Sequence, residues 1–109
     1  MTHFPHVAIV ILNWNGRRYL EQFLPSVLAT DYPNFSVVLA DNASSDDSVD
    51  FVGAHFPTVE IRVLAENYGF ARGYNEALQL VTADYYVLLN SDVEVTPGWV
   101  TPIVGLLET

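Results

Sequence analysis

Val7-Ala8-Ile9-Val10-Ile11-Leu12, broken off by Asn13-Trp14-Asn15-Gly16, is the stretch on which the fold turns. An unbroken apolar run rich in β-branched residues suits a strand buried on both faces, as in a parallel sheet. Working outward, Leu20, Phe23, Leu24, Val27 and Leu28 recur at the spacing of an amphipathic helix. Pro25 lies inside that pattern and removes a backbone donor, which predicts a kink or a late helix start. Asp31-Tyr32-Pro33-Asn34-Phe35 reads as a turn, and Ser36–Ala40 as a second strand.

The alternation continues to the end of the chain. Asp41-Asn42-Ala43-Ser44-Ser45-Asp46-Asp47-Ser48 is rich in capping residues, and a short helix through Val49, Phe51 and Val52 is expected to begin near Ser45 or Asp46. Val59–Ala65 alternates in polarity and reads as an edge strand with Glu60 and Arg62 facing out. Phe70, Tyr74, Ala77, Leu78 and Val81 form the stripe of a third helix. Tyr85–Asn90 is a fourth strand. Thr96 as cap and Pro97 at the first helical position predict a last helix. The order βαβαβαβα implies parallel pairing with right-handed crossovers in a layered, three-layer α/β/α domain with an open, mainly parallel sheet. Four strands are few for a finished doubly wound domain, so residues 1–109 are expected to be a single domain within a longer protein.

Composition narrows the chemistry. Of 109 residues, half are apolar, enough for a core. The absence of cysteine excludes disulfides, thiolate zinc sites and thiol catalysis. No leader pattern and no membrane-length apolar run are present, which predicts a soluble, cytoplasmic chain, with membrane association left to the longer protein. The net charge is −9, and the only fixed cations are Arg17, Arg18, Arg62 and Arg72. A nucleic-acid backbone or anionic membrane is therefore a poor partner. A phosphate ligand would need an arginine, backbone N–H groups or a divalent cation to offset its charge.

Polar residues gather where the strands end. The four exits are Asn13-Trp14-Asn15-Gly16, Asp41-Asn42, Glu66-Asn67-Tyr68-Gly69 and Asn90-Ser91-Asp92. In a parallel sheet these ends share one edge, where open α/β sheets bind ligands. Asn, Asp and Gly are also common in ordinary βα turns, so a single exit of this kind is equally a turn. Arg72 stands near the start of the third helix, where it suits either a phosphate or an ion pair with Glu76 four residues on. Trp14 and Trp99 suit stacking on a base or sugar, or core packing. His3, His6 and His55 are scattered and carry no assignment.

Val7–Gly16, Val37–Ser48, Glu66–Leu78 and Tyr85–Trp99 together resemble, in order and spacing, the N-terminal half of the family 2 glycosyltransferases, with the rhamnosyltransferase-like branch the most similar. The resemblance implies the GT-A fold, of which this would be the Rossmann-like half, and an inverting transfer from a nucleotide-diphosphate sugar. It implies that Asn13, Trp14 and Asn15 line the base and ribose, and that Asp41 bonds the base. Asn67 and Gly69 would close over the donor, and Arg72 would be the candidate for the diphosphate. Asp92 stands where the second acid of the family's Asp-x-Asp would coordinate Mg²⁺ or Mn²⁺. Asn90 replaces the first acid; its amide oxygen can accept a bond from a ribose hydroxyl or a metal-bound water but brings no charge. The base that deprotonates the acceptor would lie beyond this chain, in the half that binds a glycan or lipid-linked acceptor. The enzyme implied is thus a polysaccharide-building transferase whose donor and metal site this chain supplies, the chain alone being inactive. The alternative is a non-catalytic nucleotide-binding or interaction module of the same half-domain fold. A receiver-type signalling domain does not fit, because the first strand ends in asparagine and the chain has no lysine.

Overall fold

The computed structural model describes residues 4–109; His3 lies outside them. The expected alternation is present: β1 (Val7–Asn13), α1 (Arg17–Leu28), β2 (Phe35–Asp41), α2 (Ser48–His55), β3 (Glu60–Val63), α3 (Phe70–Leu78), β4 (Tyr85–Asn90) and α4 (Val100–Leu107). The four strands form one sheet in the order β3-β2-β1-β4, every pair parallel.

That order follows from where the apolar residues lie. β1, apolar from Val7 to Leu12, is an inner strand and its residues from Val7 to Ile11 are buried. On one face Val7, Ile9 and Ile11 pack with Val37 and Leu39 of β2 against Leu20, Leu24 and Val27 of α1, Phe51 and Val52 of α2, and Val100 and Val104 of α4. On the other face Ala8, Val10, Val38 and Ala40 meet Tyr74 and Ala77 of α3. The chain steps one way along the sheet from β1 to β3, then crosses back to β4. With right-handed crossovers, that reversal sends α3 to the face opposite α1 and α2. The result is the three-layer α/β/α arrangement. A single helix covers the α3 face, so Tyr86 and Leu88 of the edge strand β4 remain largely exposed there. Among the described residues, no helix is long and apolar enough to cross a membrane.

Several element boundaries differ from the expectation. α1 begins at Arg17, well before Pro25, so the proline neither delays nor ends it; Pro25 is exposed, and its carbonyl accepts from Ala29 N–H at 3.1 Å. α2 begins only at Ser48, because Ser44, Ser45 and Asp46 are engaged with the β1–α1 loop. β3 is an edge strand as expected but only four residues long, with Arg62 half-buried and paired to Glu60 at 3.3 Å. α3 ends at Leu78, leaving Val81 beyond it, and Phe70, read as part of the buried stripe, is 66% exposed. Thr96 does not cap α4 and Pro97 is not its first residue. Pro97 and Gly98 instead form a turn closed by Trp99 N–H on Thr96 O, and the helix starts at Val100.

Candidate functional site

The strand reversal leaves a crevice between the C-terminal ends of β1 and β4, the topological switch point of the sheet. A cavity of about 420 Å³ occupies it. All four strand exits contribute: Trp14, Asn15 and Gly16 after β1, Asn42 after β2, Asn67 and Gly69 after β3, and Asn90, Ser91 and Asp92 after β4. Leu12, Tyr19 and Phe70 complete the wall.

The loops after β1 and β2 are cross-linked. Asn15 adopts a left-handed backbone (φ 51°), which asparagine tolerates better than most residues. Its Oδ1 accepts from the backbone N–H of Ser45 at 2.7 Å and of Asp46 at 3.1 Å, and its own N–H donates to Ser44 Oγ at 2.9 Å. Asp41 lies beneath this contact, almost fully buried. Its Oδ1 accepts from Asn13 Nδ2 (2.9 Å) and Ser44 Oγ (2.7 Å), and its Oδ2 accepts from Ser44 N–H (2.9 Å). Three of about four acceptor positions of the carboxylate are thereby used. Asp46 Oδ1 accepts from Ser48 N–H at 3.0 Å and also from Ser48 Oγ, while Oδ2 accepts from Arg17 N–H at 3.3 Å. Burial pushes the Asp46 carboxyl up, but these hydrogen bonds outweigh it and hold the group below its ordinary value.

The third side of the cavity is held differently. Gly69 has φ 77°, the left-handed region that glycine enters without strain, and its N–H donates to Asn67 Oδ1 at 2.8 Å. Arg72 does not reach the wall. Its guanidinium lies 3.6 Å from Glu76 Oε1 and 4.5 Å from the centre of the Tyr68 ring. The fourth side, Asn90 to Asp92, presents an amide, a hydroxyl and the one carboxylate among the lining residues.

So the structure brings Trp14, Asn15, Asn67, Gly69, Asn90 and Asp92 to the lining of one cavity. It places Asn13 and Asp41 just behind that lining, and Arg72 to one side. Trp99 is a core residue whose Nε1 donates to Thr30 Oγ1 at 2.9 Å, whereas Trp14 is 55% exposed at the cavity. His6 meets Ser36 Oγ and His55 stacks on Phe51, both outside the cavity. Reading from sequence placed Gly16 and Asn42 in the strand exits without giving them a role, and did not bring Tyr19 or Phe70 to the cavity. Phe70 was hidden by fitting the helical stripe. Tyr19 carried a faint signal, because it falls off the stripe of α1.

The family model described as Glycosyl transferase family 2 matches residues 8–109. The chain belongs to glycosyl transferase family 2. This family 2 chain is 28% identical over 104 residues to an N-acetylglucosaminyl-diphospho-decaprenol L-rhamnosyltransferase of Mycobacterium tuberculosis, covering 84% of the chain and 34% of that relative. The chain spans about a third of the length of the curated relatives it matches. Among solved structures it superposes on residues 1–349 of S. aureus TarS in complex with UDP-GlcNAc with a TM-score of 0.82 at 19% identity. That match covers 94% of the chain and 31% of TarS 1-349, and at this identity it speaks for the fold. A mannosyltransferase of Pyrobaculum calidifontis, in complex with GDP-Man and Mn²⁺, matches with a TM-score of 0.73 at 26% identity, covering 85% of this chain and 29% of that one.

A divalent cation fits this family 2 cavity only in part. Among the described residues no three His, Asp or Glu side chains converge. Asp92, with the oxygens of Asn90 and Ser91, offers hard donors but a single negative charge. That set suits Mg²⁺ or Mn²⁺ shared with phosphate oxygens and water, and does not make a closed protein site.

Proposed function

We propose that this chain supplies the donor side of an inverting sugar transferase that takes a nucleotide-diphosphate sugar. One observation carries the reading: four separate strand exits converge on one cavity at the switch point, with Asp92 as its only carboxylate among the lining residues. Trp14 and Asn15 take the base and ribose. Asn13 and Asp41 support that side, Asp41 with one acceptor position left to reach the base when its loop shifts. Asn67 and Gly69 enclose the diphosphate, and Asn90 bonds a ribose hydroxyl or a metal-bound water. Arg72 reaches the diphosphate on leaving Glu76.

Asp92 would hold Mg²⁺ or Mn²⁺, and that ion when bound would offset the charge of the leaving phosphates. The chain's own residues bind and orient the donor. The base for the acceptor hydroxyl, and the site that binds a glycan or lipid-linked acceptor, belong to the longer protein. Polysaccharide construction on the cytoplasmic side fits these partners. The diphospho-decaprenol-linked acceptor in the name of the mycobacterial relative and the GDP-Man and Mn²⁺ of the archaeal structure support this reading.

Titration with UDP, dTDP and GDP, with and without Mn²⁺, tests it on the chain and on Asp92→Ala. The expected outcome is metal-dependent binding of at least one nucleotide, with the metal dependence lost in Asp92→Ala. No binding to a folded chain would sink the proposal. Asn90 in place of an acid favours a second reading, a nucleotide-binding module without catalysis; nucleotide binding with no response to Mn²⁺ would select it.

A further inference from the structure

Asn42 is buried, 3% exposed, one residue beyond the end of β2. Its backbone N–H donates to Asn13 O at 2.7 Å, which ties it to the end of β1. Its side chain uses both ends of the amide on one distant loop. Oδ1 accepts from Tyr68 N–H at 2.9 Å, and Nδ2 donates to Gly69 O at 3.0 Å. The amide meets the two groups with two different atoms: an ionised Asp has no donor, Leu has neither half, and the hydroxyl of Ser carries donor and acceptor on one oxygen that ends an atom shorter. α3 makes room for it. A Cβ at Gly73 would stand 3.0 Å from Asn42 Nδ2 and 2.9 Å from Leu12 Cδ2. Asn42 also lines the cavity that Asn67 and Gly69 enclose.

We propose that Asn42 is the positioning residue of this cavity. It clamps the Asn67–Gly69 wall to the ends of β1 and β2, so that the wall is formed before any ligand arrives. The proposal rests on the cavity being the nucleotide site. Asn67 orders the loop only against itself, through Gly69 N–H; Asn42 is what fastens it to the sheet. Without the clamp, a ligand must supply the ordering itself, and its apparent affinity falls by the fraction of chains in which the wall is formed.

The test compares wild type, Asn42→Ala and Asn42→Asp by amide hydrogen exchange and by titration with UDP in the presence of Mn²⁺. In Asn42→Ala the Tyr68 amide exchanges faster, the amides of β1 and β2 keep their protection, and UDP binds about tenfold more weakly, the effect of losing about one hydrogen bond's worth of ordering. Asn42→Asp keeps an acceptor for Tyr68 N–H but turns a carboxylate oxygen toward the Gly69 carbonyl, so its Tyr68 exchange and its affinity fall between the other two. Unchanged exchange at Tyr68, or faster exchange with unchanged affinity, overturns the proposal. If Asn42→Ala does not fold, Gly73→Ala presses on the same amide from α3 and is judged by the same two readouts. A wild type that binds no nucleotide refutes the donor reading instead, and the Tyr68 exchange then decides by itself whether Asn42 holds the loop.

Discussion

Asn13 carries a side-chain oxygen, Oδ1, that is buried and without a hydrogen-bond partner among the described residues. Such an acceptor costs about 1–3 kcal/mol. The opposing gain lies at the other end of the same amide, where Nδ2 donates to Asp41 Oδ1 at 2.9 Å and to Ser44 Oγ at 3.3 Å. Gly16 closes over the orphaned oxygen. Its φ of −102° is open to any residue, so glycine is needed for space and not for backbone freedom. A Cβ there would collide with Asn13 Oδ1 and lie 3.1 Å from Ser91 Oγ. Gly16→Ala is therefore expected to destabilise the fold by about 1–3 kcal/mol, read from the urea unfolding midpoint. A midpoint equal to wild type would mean that Asn13 has room to withdraw. At this scale the sequence was informative about which residues are polar and where, but silent about depth. Asn13 and Asp41 lie behind the residues that line the cavity, because Asn13 is bonded to Asp41 and Ser44 of the neighbouring exit and Asp41 to Asn13 and to Ser44 of its own.

Elements were legible wherever a long apolar period set them. The continuous run of β1 and the stripe of α1 each appear where expected, and β3 is the expected edge strand in shorter form, without the expected alternation of exposure. Helix starts were not, because capping residues had competing partners. α2 begins at Ser48 and not at Ser45: the segment before it is tied to the β1 exit, where Asn15, thirty residues upstream, accepts from the N–H groups of Ser45 and Asp46. Asp46 then bonds Ser48 N–H and Arg17 N–H, joining the start of α2 to that of α1. Its carboxyl is held low, so the folded state binds the proton less readily than the unfolded chain. Stability from this group is complete above the ordinary aspartate pKa of ~3.9 and is lost as pH falls through the lowered folded value. The urea midpoint should drop between about pH 5 and pH 3, and Asp46→Asn should drop less over the same interval. Equal drops in the two proteins would remove Asp46 from the account. Phe70 is the opposite case: its position in the helical period was read correctly and its exposure was not, since the first residue of a helix can turn to the cavity while the rest face the sheet.

The whole molecule carries a net charge of −9, and Arg17, Arg62 and Arg72 already lie against Glu21, Glu60 and Glu76. The excess is thus spread as repulsion among carboxylates, which opposes compactness and is screened over about 8 Å at physiological salt. The thermal midpoint is expected to rise when sodium chloride goes from about 10 to about 150 mM, and a fall would show that the exposed pairs outweigh the repulsion. The parallel sheet and its layers could be inferred from the alternation alone. The order β3-β2-β1-β4 could not, since nothing local states which earlier strand β4 will join. Two sides of the cavity, the β1 and β2 exits, answer to each other through Asn15 and Ser44 to Asp46, whereas the β4 exit reaches α1 farther on, through Val95 N–H to Ser26 Oγ at 3.1 Å. Inheritance then acts on the two sides unequally. A change of preference on the first side requires matched replacements in two distant stretches of the gene, while Asn90 and Ser91 beside Asp92 can change one codon at a time without a matched partner in the other exits.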